Sequence, residues 1–214
     1  MYLKNLVYKV FIFLAVLAVL PGYVTSTSAQ STPVFDELKS LFENGYVFEA
    51  EFNHLYVDNF TGAEQSTEGH IWIGKDQYKI EGDSQKMIVD GEISRVYDQS
   101  KNRVIISEYI EEEDDFAPSR MLQGVDDTFV VSETELDDGN IEIKMISEDP
   151  FSIFLEVVIV LDQNRNPLRI EAIDQVENEL ITSFSAGNFI EGQADLFDIS
   201  VPEDAEVIDL RHDS

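Results

Sequence analysis

The side chains of this sequence that could carry out chemistry are few and scattered. His54, His70 and His212 are the only histidines, and no HExxH-type motif joins them. The sequence has no cysteine, which excludes disulfides, thiolate metal sites and cysteine nucleophiles. Motifs of the GxSxG, GxxxxGKS/T and GxGxxG types do not occur. This pattern predicts a binding protein that is not an enzyme and that uses neither a cofactor nor a metal.

Carboxylates are so abundant that pairs of them carry no signal for acid–base catalysis. The chain has 43 Asp and Glu against 14 Lys and Arg, a formal net charge of −29. The run Glu111–Asp115 lacks the spaced pattern of a calcium loop, and it is predicted to be a solvated loop. Such a surface repels nucleic acid and anionic lipid headgroups. It could attract a basic partner, or it could serve solubility alone.

The N-terminus has the pattern of a secretory signal peptide. Lys4 and Lys9 precede an apolar run of eleven residues, Val10 to Leu20, and Thr27-Ser28-Ala29 is typical of a cleavage site. A membrane span needs roughly 20 apolar residues, so the run is short for an anchor, although an uncleaved anchor is the alternative. We expect cleavage after residue 29 and a single domain over residues 30–214. Loss of the two lysines takes the formal net charge from −29 to −31.

One helix is predicted at the start of that domain and a short one near its middle. After Pro33, apolar residues recur with the 3.6-residue period of one helix face, and Asn44-Gly45 ends the pattern. Pro118, Met121 and Leu122, followed by Gly124, indicate the second helix.

Most of the remaining chain shows the alternation typical of strands. It begins over residues 46–56 and continues in short segments separated by turns, of which Asp90-Gly91 is a strong hairpin signal. The tail is predicted to be irregular, with a strand-like piece over Phe197–Val201. About eleven strands in serial hairpins predict a mainly β fold: one strongly curved antiparallel sheet that forms an incomplete, open barrel covered by the two helices.

The order and spacing of several motifs resemble the LolA family of periplasmic lipoprotein carriers, over about residues 35–210. Family members carry an Arg-Pro after the tryptophan strand, and the matching positions here are Lys75 and Asp76. The motifs that carry the resemblance are Phe48-Glu-Ala-Glu-Phe52, Gly69-His-Ile-Trp72-Ile, Tyr78-Lys-Ile80, Ile88-Val-Asp-Gly91 with Val96-Tyr97-Asp98, Ala117-Pro118 before Met121-Leu122, and Phe197-Asp-Ile199-Ser-Val201-Pro202 with Val207-Ile208-Asp209.

The resemblance implies that the concave face of the sheet is a cavity for acyl chains, whereas alternation alone is equally typical of an ordinary core. The helices would form a lid, and Lys75 would take the place of the family's arginine as a lid latch. The implied cavity residues are Phe48, Ala50, Phe52, Ile71, Ile73, Tyr78, Ile80, Met87 and Val89, and the implied lid residues are Phe35, Leu38, Phe42, Met121 and Leu122.

The resemblance also implies a function and partners. We expect a monomeric periplasmic carrier of a Gram-negative-type bacterium that takes acylated lipoproteins from an inner-membrane lipoprotein-releasing ABC transporter to an outer-membrane acceptor. Nucleic acid is not an expected partner. The alternative is an open-barrel domain that binds a lipid or senses lipoproteins in envelope-stress signalling.

Overall fold

A computed structural model describes residues 31–110, 114, 118–125, 128–193 and 195–211. The predicted signal peptide and all of the acidic run except Asp114 lie outside these residues. Within the described ranges, no helix is long and apolar enough to cross a membrane.

Two short helices form where the sequence predicts them. Helix α1 spans Pro33–Glu43, with a proline at its start and Asp36 in its first turn, where a negative charge favours a helix N-terminus. Helix α2 spans Pro118–Gln123. Both helices bury one apolar face, which for α1 consists of Phe35, Leu38 and Phe42.

Twelve strands form one sheet that does not close. Its order is β12-β6-β5-β4-β3-β2-β1-β11-β10-β9-β8-β7, so that β12 and β7 are its two edges. The strands are β1 (Tyr46–Val57), β2 (Glu64–Ile73), β3 (Tyr78–Glu81), β4 (Gln85–Val89), β5 (Ile93–Asp98), β6 (Arg103–Glu108), β7 (Phe129–Glu135), β8 (Ile141–Ser147), β9 (Phe154–Leu161), β10 (Pro167–Asp174), β11 (Glu179–Glu191) and β12 (Glu206–Asp209).

The predicted mainly β open barrel is confirmed, with two differences in the tail. Residues 197–201 are not a strand, so that expectation is wrong, and the twelfth strand forms later, at Glu206–Asp209. Strand β12 pairs parallel to β6, whereas the other neighbours in the sheet pair antiparallel. A parallel pair needs a long connection, and the chain between β11 and β12 supplies one.

The long pair β1–β11 lies in the middle of the sheet and contains an irregularity that bends it. The register shifts between Glu49 and Glu51, where two residues of β11 oppose one of β1. One of them is Gly187, and a Cβ atom placed there would lie 2.6 Å from the ring of Phe48. The close approach of this ring to the backbone therefore requires glycine.

We expect Gly187→Ala to lower the free energy of unfolding by about 1–3 kcal/mol, because the added methyl group overpacks a buried ring. Thermal or urea denaturation, compared with Ser185→Ala on the same strand, measures the effect. Equal stability of the two variants would show that Phe48 moves aside without cost.

The tail covers part of the convex face. Ile199 packs with Ile88, Tyr97 and Val104 in a second apolar cluster, separate from the main one inside the curve. On the same face, the Lys79 ammonium lies 4.2 Å from the centre of the Trp72 ring and donates to the Asp198 carbonyl at 3.4 Å. The curved sheet is thus held from outside by the tail and from inside by the helices.

Candidate functional site

The predicted cavity residues share the concave face of β1–β4. The register brings them together in two rows that cross the strands: Phe48 pairs with Ile73, Ile73 with Tyr78 and Tyr78 with Val89. In the second row, Ala50 pairs with Ile71, Ile71 with Ile80 and Ile80 with Met87. Phe52 follows Ala50 on the same face of β1.

The predicted lid residues pack directly on this face. Phe35, Leu38, Phe42, Met121 and Leu122 are all buried in the same apolar cluster as Phe48 and Ile73. The part of the concave face under the helices is therefore filled by the protein's own side chains.

The two ends of the sheet differ in how they are closed. Strand β3 runs antiparallel to β2 and β4, so the turn over residues 74–77 and the turn over residues 82–84 lie at opposite ends. Both helices are tied to the first turn, and we name this end of the sheet the helix end. The other end, with the second turn, is named the open end.

A cleft of about 610 Å³ lies on the concave face at the open end. This volume falls in the range of roughly 300–1,000 Å³ that is typical of ligand pockets. Phe52, Ile80 and Met87 of the predicted set line it, together with Val96. Its other lining residues are His54, Ser66, Thr67, Glu68, Gly82, Asp83, Ser84 and Gln85. The cleft is thus apolar in its floor and polar around its mouth.

His54 lines the cleft although it is not among the predicted cavity residues. Its Nδ1 atom lies 2.9 Å from the Thr182 hydroxyl, and burial lowers its pKa from 6.5 to about 4. The imidazole is therefore neutral at neutral pH, and the cleft carries no cation from it.

The folded state binds a proton at His54 more weakly than the unfolded chain does. The free energy of unfolding should therefore depend on pH. The contribution of His54 to the free energy of unfolding should be complete above pH 6.5 and decline as the pH falls to about 4. Urea denaturation of the protein and of His54→Asn at matched pH values checks this. Both proteins contain the same carboxylates, so the difference between their free energies of unfolding isolates the effect of His54. A pH-independent difference would contradict it.

The predicted latch position lies between both helices and the sheet. The Lys75 ammonium is 3.6 Å from the carboxylate of Glu43 at the end of α1. The backbone carbonyl of Lys75 accepts a hydrogen bond of 2.6 Å from the Gln123 side chain of α2. The Lys75 side chain is 51% exposed, so its ion pair is weak. The hydrogen bond between α2 and the sheet thus has its donor on the helix and its acceptor in the turn over residues 74–77. Sequence reasoning missed Gln123, whose only signal was its place at the end of the predicted helix.

The one described residue of the acidic run contacts the site. Asp114 Oδ2 accepts hydrogen bonds from the hydroxyls of Tyr78 at 2.8 Å and Tyr109 at 2.9 Å. Burial, and then the charge of Asp114, raise the pKa of Tyr78, so its hydroxyl stays protonated and acts as a donor. The prediction of a purely solvated loop is wrong at this residue.

Comparison with known proteins shows the fold and not the family. No family model and no curated protein matches the sequence. Among solved structures, an uncharacterised conserved protein from Thermus thermophilus has a TM-score of 0.51 at 11% identity, over 83% of this chain and 97% of that one. At such identity the likeness concerns the fold alone.

Two more distant structures are also similar. A LolA superfamily protein from Nitrosomonas europaea has a TM-score of 0.43 at 11% identity, over 78% of this chain and 96% of that one. A domain assigned to outer membrane lipoprotein sorting, from Vibrio parahaemolyticus, has a TM-score of 0.40 at 12% identity, over 77% and 94% of the two chains. The family resemblance of the sequence motifs stays a prediction.

Proposed function

We propose that this chain is an exported, monomeric, non-enzymatic carrier that shelters the acyl chains of lipoproteins on the concave face of its sheet. In full, it would take acylated lipoproteins from an inner-membrane ABC transporter through the periplasm to an outer-membrane acceptor. The observation that carries the proposal is a concave apolar face that is filled under two small helices and continues into an open cleft. The motif resemblance to lipoprotein carriers supports the same function.

The energetics explain why such a cleft is needed. Transfer of an acyl chain of ~16 carbons from a membrane to water costs on the order of 12 kcal/mol, at ~0.8 kcal/mol for each CH₂ group. An apolar cleft offsets much of this cost. The floor formed by Phe52, Ile80, Met87 and Val96 can supply the contacts, and methionine adapts its shape to different chains.

The helices make a larger cavity available if they move. Among the described residues, the polar contacts that tie the helices to the sheet include those of Gln123 and Glu43 with Lys75, and that of the Phe35 amide with the Glu133 carboxylate at 2.7 Å. When the helices move, their apolar side chains leave the concave face, and an acyl chain can then cover the same surface. Helix displacement exchanges one set of apolar contacts for another, so its free-energy cost falls when cargo is present.

The cleft as it stands also fits the alternative function, in which the domain binds one lipid chain or senses a lipoprotein without transporting it. Its volume of about 610 Å³ accommodates a ligand of ordinary size while the helices stay in place. The two functions therefore differ in whether the helices open.

An experiment that separates them uses the absence of cysteine from the chain. A polarity-sensitive fluorophore is attached to Met87→Cys in the cleft, and in a second protein to Val34→Cys, which is partly buried where α1 packs on the apolar cluster. Val207→Cys on the exposed edge strand is the control. Triacylated and monoacylated peptides are then added. The carrier predicts a response at both inner positions with the triacylated peptide. A response at Met87 alone supports the alternative, and no response at either position contradicts both.

A further inference from the structure

Exposed apolar side chains are concentrated at the open end of the sheet. Phe60 is 97% exposed, Phe151 91% and Val176 69%. They lie in the loops after β1, β8 and β10. The pairs Val57–Glu179 and Asp174–Phe154 place these three loops side by side at that end. Exposed apolar residues in such proximity are typical of an interaction surface.

A row of residues that crosses the strands continues this surface on the convex face. In direct register, Val130 pairs with Ile146, Ile146 with Glu156, Glu156 with Ile173 and Ile173 with Glu179. The row faces outward because the residues next to it in the strands, such as Met145 and Ala172, are buried inside the curve. A groove of about 530 Å³ runs along it, with Ile146, Leu155 and Ile173 among its lining residues.

Carboxylates without ionic partners border the groove. Glu177 and Glu179 line it, and in the described part of the chain no cationic side chain forms an ion pair with either. Glu156, by contrast, is paired with Lys144 at 2.8 Å. The Asn59 amide donates to Asn178 at 3.0 Å and so joins the loop after β1 to the turn before β11. The groove is therefore built on connected elements and carries uncompensated negative charge.

We infer that this outer surface, comprising Val130, Ile146, Phe151, Ile173 and Val176 with Glu177 and Glu179, binds a basic amphipathic helix of a partner protein. Neighbouring strands are about 4.8 Å apart and a helical turn rises about 5.4 Å. A helix that lies across the strands thus meets about one residue of the row with each turn. Apolar and cationic side chains on alternate turns match the last four members of the row, Ile146, Glu156, Ile173 and Glu179. Because Glu156 is already paired with Lys144, the attraction rests on Glu179 and the neighbouring Glu177.

The charge of the chain decides between this partner and other occupants. A formal net charge of −29 opposes both a second copy of the chain and an anionic lipid surface. A cationic partner gains attraction to unpaired carboxylates and buries the apolar row. The surface lies on the convex face of β7–β11, whereas the cleft lies on the concave face and is lined from β1–β5. The inference does not depend on what the cleft holds.

The test is the affinity of a synthetic alanine-based helical peptide in which leucine and lysine alternate at successive turns of one face, measured by calorimetry. The double variant Glu177→Lys/Glu179→Lys should weaken binding by about tenfold or more. A matched charge change in the tail, Glu203→Lys/Asp204→Lys, should weaken it much less. In the same way, Ile146→Ser should weaken binding and Val207→Ser on the edge strand β12 should not.

Control peptides and two competing readouts decide the result. A peptide with glutamate in place of lysine, or serine in place of leucine, should not bind. The inference is overturned if both charge variants weaken binding equally, because attraction is then unspecific. It is also overturned if the Ile146→Ser change instead abolishes binding to phosphatidylcholine vesicles or dissociates a dimer in analytical ultracentrifugation, because the occupant is then a membrane or a second copy.

Discussion

Met87→Glu is expected to abolish the binding of acyl chains while the protein stays folded. Met87 is half-buried and lines the floor of the cleft. A carboxylate at this position would lose its hydration when a chain enters, and an unpaired charge in apolar surroundings costs several kcal/mol. We expect the affinity for an acylated peptide to fall at least about a hundredfold, which corresponds to ~2.7 kcal/mol. Titration of a fluorescent acyl probe measures the loss.

Two controls accompany this variant. Met87→Leu keeps the apolar floor at a similar volume and should bind nearly as the parent does. Phe52→Glu is less informative, because Phe52 is only 5% exposed and a glutamate there would also destabilise the core. If Met87→Glu keeps full affinity with an unchanged unfolding transition, the cleft is not the site of the acyl chain.

Gln123→Ala is expected to tighten the apparent affinity for a large acylated cargo. The Gln123 side chain donates to the Lys75 carbonyl and so stabilises the closed position of α2. One such hydrogen bond contributes a net ~0.5–1.5 kcal/mol. Apparent affinity depends on the fraction of molecules that are open, so loss of this bond should raise affinity by up to about tenfold. Binding of a triacylated peptide, and its transfer to acceptor vesicles, can be followed by fluorescence.

A change at the lysine separates the two contacts of this site. Lys75→Leu removes the exposed ion pair with Glu43 but keeps the backbone carbonyl that Gln123 uses. Exposed ion pairs contribute little, so we expect a change of less than about twofold. A large effect of Lys75→Leu together with none of Gln123→Ala would assign the latch to the lysine side chain, as the resemblance implies.

Local pattern was sufficient to predict which residues face inward. A strand alternates its side chains whatever its partners are, so Phe48, Ala50 and Phe52 could be assigned to one face before any pairing was known. The hairpin signal at Asp90-Gly91 likewise placed β4 next to β5. These inferences depend on neighbours in sequence, which is why they agree with the structure.

Contacts between distant segments could not be predicted in this way. Gln123 meets Lys75 across 48 residues, and His54 meets Thr182 across 128. The tail carried an alternating apolar pattern at Phe197, Ile199 and Val201, but Ile199 packs flat on the convex cluster rather than pairing in the sheet. Periodicity does not distinguish these two ways of burying the same side chains.

The sequence by itself determined the mainly β class, the two helices and the apolar character of the concave face, because each follows from local periodicity and turn chemistry. Only the tertiary structure decided how that face is used. The helices dock at the turn over residues 74–77, which fills one end of the face and leaves a cleft at the other. The physical reason is that docking depends on where α1, α2 and the sheet can bury their apolar surfaces together, which is a property of the packed molecule and of no single segment.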